Sequence, residues 1–205
     1  MMRRKFRYLP IALLSLIALC AVGFAGVLLS GARPPLLRTY ISDAIGGPFT
    51  LVANNGQTVT DRTYRGKWLL VFFGYTHCPD VCPTTLNTIA TALRQLGPEA
   101  ARVQPLFITV DPARDTPQVL TNYVKVFDPR IVGLTGTPDQ IAAAARAYRV
   151  YFSKDETAQE RDYQLDHSAF VYLMNPQGKF VQVFGGAVAN DKIAARLRQL
   201  IGRQA

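Results

Sequence analysis

The sequence predicts an α/β domain, a sheet covered by helices and entered through an N-terminal β-hairpin, preceded by one transmembrane helix. Three observations carry this. An uncharged run fills residues 9–30, long apolar strand-like segments alternate with helix-start signals from residue 68 onward, and the last third reads strand, turn, strand, helix. The chain has 205 residues, of which 49% are hydrophobic and 18% charged. That composition buries a core and excludes global disorder. With only Cys20, Cys78 and Cys82, a disulfide-stapled miniprotein is excluded as well.

Residues 1–8 carry Arg3, Arg4, Lys5 and Arg7, which supply four of the net +9 charges and leave +5 for the rest. A mildly basic domain without a Lys/Arg stripe interleaved with aromatics gives no sign of nucleic-acid binding. Residues 9–30 (LPIALLSLIALCAVGFAGVLLS) match the ~20 apolar residues of a bilayer span and exceed the ~7–15 of a signal-peptide apolar region. The preceding basic cluster places the N-terminus in the cytoplasm and everything after Ser30 outside. Cys20 lies within the span as a small apolar filler, and Pro34-Pro35 marks residues 31–42 as a tether. The span begins within ten residues of Met1, without a long Arg- and Ser-rich transit segment before it. A bacterial inner membrane with the domain in the periplasm is therefore expected, a compartment where disulfides persist.

The domain itself is expected over residues 43–205. Asn55-Gly56 between Phe49-Thr-Leu-Val and Gln57-Thr-Val signals a hairpin. Trp68 to Gly74 reads as a strand buried on both faces. Pro83 to Leu96 carries Leu86, Ile89, Leu93 and Leu96 at helical spacing, and Gly97-Pro98 ends it. Val103 to Val110 is a second buried strand. Thr116-Pro117 and Thr137-Pro138 each combine an N-cap with a first-turn proline. They open two helices, the second running to about Arg149, with a short strand at Ile131 to Leu134 between them. Ser153 to Asp162 is charged and is expected as an exposed loop or hairpin. Strands at Ser168 to Met174 and Lys179 to Phe184 flank Asn175-Pro-Gln-Gly178, and Asn190 caps a last helix.

The first strand feeds its helix through Tyr75-Thr-His-Cys-Pro-Asp-Val-Cys-Pro83, and reactive groups gather at such strand ends. Pro83 suits a first helical position, which puts Cys82 at the N-cap. The positive end of the helix then favours thiolate over thiol. At helical rise, the four-residue step from Cys78 to Cys82 covers ~6 Å, within disulfide reach. Two close thiolates support two chemistries. They cycle between dithiol and disulfide, or they clamp a soft metal, with Cu(I) the obvious candidate. A static structural disulfide is the plain alternative, although so small a loop restricts the unfolded chain little.

His77 adjoins Cys78 and either tunes it or is a solvated loop residue. His167 lies just before the strand at Ser168. In a thioredoxin-like sheet that connection approaches the turn bearing the cysteines, so His167 aims at both sulfurs. Imidazole suits copper, and Asp166 is expected to orient the ring.

GYTHCPDVCPTTL (74–86), VDPARDTP (110–117) and DHSAFVYLMNPQGKF (166–180) together resemble the Sco/SenC family over roughly residues 43–203. The resemblance implies a thioredoxin-like fold with an added N-terminal hairpin and an inserted βα unit. It also implies copper as the bound ion, held by Cys78, Cys82 and His167. The implied role is maturation of the dinuclear copper centre of cytochrome c oxidase subunit II. Asp111 falls in the family's acidic motif, where an Asp-Pro turn former is an adequate alternative. Thioredoxin-type reductases carry Cys-x-x-Cys and a cis-proline. Here the cysteines are one residue further apart, and Gln164-Leu-Asp-His-Ser168 has a histidine and no proline.

A membrane-anchored copper chaperone is therefore expected, with subunit II as acceptor, an upstream copper donor, and a thiol reductant to keep the redox-active Cys78–Cys82 pair open. The rival readings are a thiol–disulfide oxidoreductase that reduces the acceptor's cysteines and a redox or copper sensor.

Overall fold

The turn at Asn55-Gly56, with Gly56 at φ +84°, joins strand β1 (Thr50–Ala53) to β2 (Thr58–Thr60). Strand β3 (Trp68–Gly74) is buried at all seven residues, as its unbroken apolar run requires. It leads into helix α1 (Val81–Leu96), and a 3-10 turn over Gly97–Arg102 returns the chain to β4 (Val103–Thr109). Helix α2 (Pro117–Val124) opens on Thr116, whose hydroxyl accepts from the Val119 N–H. After β5 (Val132–Thr135), helix α3 (Pro138–Ala147) opens on a capping box made by Thr137 and Gln140. A separate hairpin follows, β6 (Phe152–Lys154) with β7 (Leu165–His167). Strands β8 (Phe170–Met174) and β9 (Phe180–Gly185) precede the last helix, α4 (Asn190–Gly202).

The seven-stranded sheet has the order β2-β1-β5-β4-β3-β8-β9. Strands β3, β4 and β5 run parallel, and the two flanking pairs are antiparallel. Leu70 and Phe72 pack on one face against Leu86, Ile89 and Leu93 of α1, Leu120 of α2, and Ile193 and Leu197 of α4. Leu69, Val71 and Phe73 pack on the other against Ile141 and Ala144 of α3. The predicted mixed α/β architecture, with its entry hairpin and its inserted βα unit, is present.

This computed structural model describes residues 45–154, 163–185 and 190–203. The basic N-terminus (1–8), the predicted anchor (9–30) and the tether (31–42) lie outside the described residues, and so does most of the charged 153–162 stretch. Among the described residues no helix is long and apolar enough to cross a membrane.

Two expectations change. Helix α1 starts at Val81 with Asp80 as N-cap, so Cys82 is its second residue and not the cap. Pro83 is tolerated there because amides of the first turn have no intrahelical acceptor to lose. The strand expected from Ser168 begins at Phe170, because Leu165–His167 pairs with β6 in a hairpin outside the main sheet.

Candidate metal centre

Strand β3 ends at Gly74, and the loop Tyr75–Asp80 carries Cys78. The Cys78 N–H donates to the Tyr75 carbonyl at 3.3 Å. The Cys82 N–H donates to Cys78 Sγ at 3.4 Å. Asp80 makes no side-chain capping bond, so the Cys78 sulfur takes a helix-start amide that a capping oxygen would otherwise accept. Both cysteines are free thiols, Cys78 half-buried and Cys82 buried.

Their protonation is coupled. The Cys82 thiol, donating to Cys78, holds the Cys78 thiol far below the ordinary range, helped by the Cys82 N–H and His167 and opposed by burial. The Cys78 thiolate and burial push Cys82 strongly upward. The reduced pair thus holds one thiolate and one thiol that share a proton.

His167 arrives from the other side of the site, at the end of β7 opposite Phe152. Its ring stands edge-on to Phe72 (centroids 6.2 Å) and Tyr75 (5.7 Å). Nε2 lies 3.4 Å from Cys82 Sγ. Nδ1 lies 3.4 Å from the Ser168 carbonyl oxygen. That carbonyl, and not Asp166, is the neighbour of the second ring nitrogen. Asp166 is exposed and pairs with Ser153 in the hairpin ladder.

A hydrogen-bonded scaffold, part buried and part at the surface, holds both halves of the site. The Tyr75 phenol donates to Gln164 Oε1 at 2.8 Å and accepts the Leu165 N–H at 3.2 Å, which ties β7 to the loop that bears the cysteines. The Tyr163 hydroxyl donates to Asp111 at 2.7 Å, Arg114 Nε donates to the same carboxylate at 2.5 Å, and the guanidinium covers the Tyr163 ring at 3.6 Å. Asp111 therefore does more than form a turn, although its carbonyl also accepts the Arg114 and Asp115 amides. Asp115 accepts from the Thr76 N–H (3.0 Å), Thr76 Oγ1 (2.5 Å) and Thr109 Oγ1 (2.6 Å), and burial pushes its carboxyl upward. His77 is exposed, with Nδ1 3.1 Å from Thr76 Oγ1. Sequence reasoning missed Tyr75, Tyr163 and Asp115. Tyr75 and Asp115 lie inside the motifs at 74–86 and 110–117 without a pattern that marks their role, and Tyr163 lies just ahead of the third motif.

The structure brings Cys78, Cys82 and His167 together, with their three donor atoms all within 4.8 Å of one another. Metal–sulfur bonds of ~2.3 Å and metal–imidazole bonds of ~2.0 Å place ligands of one ion up to ~4.6 Å apart. Around a three-coordinate ion the same bonds put the donor atoms ~3.7–4.0 Å apart, so a movement of under about an ångström closes the set on one ion. Two sulfurs and an imidazole suit soft and borderline metals over Mg2+ or Ca2+.

A sheet of this order, with a dithiol at its first strand-to-helix turn and an imidazole facing it, defines a thioredoxin-like protein equipped to hold a soft metal. The chain belongs to the SCO1/SenC family, whose description matches residues 38–202. It is 43% identical over 155 residues to the human mitochondrial SCO1 homolog, covering 75% of this chain and 52% of that protein. It is 47% identical over 143 residues to the Arabidopsis thaliana mitochondrial SCO1 homolog 1, covering 69% and 42%. The chain spans about half the length of these curated relatives. Among solved structures, Bradyrhizobium japonicum ScoI with copper bound superposes with a TM-score of 0.71 at 49% identity, covering 76% of this chain and 99% of that one. Yeast Sco1 with copper bound gives a TM-score of 0.72 at 40% identity, covering 78% and 89%.

Proposed function

We propose that this protein is a copper chaperone of cytochrome c oxidase assembly, taking up copper through Cys78, Cys82 and His167 and passing it to subunit II. The convergence of the three donors within 4.8 Å carries the reading, and the copper-bound relatives name the metal. Cu(I) binding would displace the proton that Cys82 retains in the reduced pair, leaving two thiolates and one imidazole on the ion. Transfer would then proceed by ligand exchange, as acceptor sulfurs replace Cys78 and Cys82 one at a time. Half-buried Cys78 is the sulfur open to an approaching partner and is replaced first, and buried Cys82 is replaced last. Oxidation of the pair removes both sulfur ligands, so the cycle calls for a thiol reductant as well as an upstream copper donor.

The apolar run at residues 9–30 would anchor the domain at the outer face of a bacterial inner membrane, with residues 31–42 as a tether. Tethering raises effective concentration near a membrane-bound acceptor. Copper titration of the reduced chain tests the reading. One equivalent retained against a chelator supports it, and no retained copper contradicts it.

One observation favours a second reading, a thiol–disulfide reductase acting on the acceptor's cysteines. The Cys78 thiolate is stabilised and half-exposed, which is what an attacking thiol requires. Rapid reduction of a protein disulfide by a chain that holds no copper would establish it.

A further inference from the structure

Glycine at position 74 ends strand β3 directly beneath the buried sulfur. A Cβ built at Gly74 would lie 2.6 Å from Cys82 Sγ, 2.9 Å from the Phe107 ring and 3.3 Å from the Phe72 ring. Both rings are fully buried. The backbone cannot retreat easily, because Gly74 pairs with Thr109 in the β3–β4 ladder and its carbonyl accepts the Val110 N–H at 2.8 Å. The movable neighbour is the Cys82 side chain, and that sulfur is the one 3.4 Å from His167 Nε2.

We infer that Gly74 is a positioning residue for the metal centre: its missing side chain is the space that lets Cys82 Sγ sit deep in the core and in register with His167. The inference rests on the proposed copper site and adds a residue that touches no metal. A methyl group at 74 turns Cys82 Sγ away from the imidazole, or lifts the start of α1, and either movement opens the three-donor cluster.

Gly74→Ala is tested beside Gly133→Ala. Gly133 in β5 is crowded in the same way, its Cβ position 2.9 Å from Leu120 Cβ, but it borders no site residue. Copper binding is read by chelator competition and by the spectrum of the Cu(II) form. Gly74→Ala is expected to bind Cu(I) ~10- to 100-fold more weakly, as loss of a supporting residue does, and to alter the Cu(II) spectrum. Gly133→Ala is expected to melt at a lower temperature with an unchanged spectrum.

A stability cycle keeps the test decisive if Gly74→Ala folds poorly. In the Cys82→Ala background the sulfur is gone, so Gly74→Ala should lower the melting temperature much less than it does in the wild-type chain. Equal losses in the two backgrounds, or failure of both Gly74→Ala chains to fold, overturn the inference. So does a wild-type copper spectrum and affinity in Gly74→Ala, or the same copper defect in Gly133→Ala. A wild-type chain that holds no copper overturns the chaperone reading itself, whereas an intact wild-type complex matched by Gly74→Ala overturns only the role of Gly74.

Discussion

Cys82 Sγ and His167 Nε2 stand 3.4 Å apart although 85 residues separate them in the chain. The sulfur is held by the start of α1 under the end of β3. The nitrogen is held by a two-stranded hairpin that does not belong to the main sheet. The proposed copper site depends on these two elements meeting, and the Tyr75 phenol, bonded to Gln164 and Leu165, links them.

The sharing of one proton by the cysteines sets their order of reaction. Cys78, the half-buried thiolate, should be alkylated by iodoacetamide before buried Cys82. Mass spectrometry of briefly treated, reduced protein checks this. Modification of Cys82 first would contradict the assigned proton distribution.

The same pair makes stability depend on pH. The Cys78 pKa is lowered on folding, so its contribution is complete above the ordinary thiol range and is lost as pH falls towards the lowered folded value. The Cys82 pKa is raised, so its contribution is complete at and below the ordinary range and is lost as pH rises above it. Thiolate absorbance should therefore show one sulfur ionised well below the ordinary range and the other resisting ionisation above it. Two titrations at the ordinary value would contradict the coupling.

Asp115 should matter for the loop that presents the cysteines. Asp115→Ala strips acceptors from Thr76 and from buried Thr109. Leaving buried donors unpaired costs ~1–3 kcal/mol, which denaturant unfolding reads directly. A loss under about 0.5 kcal/mol, within the range of ordinary surface changes, would contradict the anchoring role.

Thr137→Ala supplies a contrast far from the site. Removing its capping box should cost ~1 kcal/mol and leave copper retention unchanged. Unchanged stability would show that α3 does not depend on the cap.

What was legible in the sequence was local. Trp68 to Gly74 declared a strand because every residue is apolar, and Thr116-Pro and Thr137-Pro declared helix starts because cap and proline are adjacent. Cys78, Cys82 and His167 stood out as the chemistry-bearing residues of their motifs. The start of α1 was misplaced by two residues because proline fits anywhere in a first turn. A loop or hairpin is expected over Ser153 to Asp162, but the strands that place His167, Phe152–Lys154 and Leu165–His167, are illegible, since two three-residue strands have no periodicity to read. Tyr75, Tyr163 and Asp115 support the site through contacts 39 to 90 residues distant in sequence, and such partners leave no pattern in one chain. Gly74 ends a strand and opens the motif at 74–86, but its role is not legible, because the sulfur that needs its space lies on the next element.

Copper retention by the reduced chain, measured beside Cys78→Ser, Cys82→Ser and His167→Ala, tests the central claim most directly. One equivalent of copper in the wild-type chain, with retention lost or sharply reduced in each variant, is the predicted result. A wild-type chain that retains no copper, or a His167→Ala variant that binds copper as the wild type does with the same spectrum, would contradict the account.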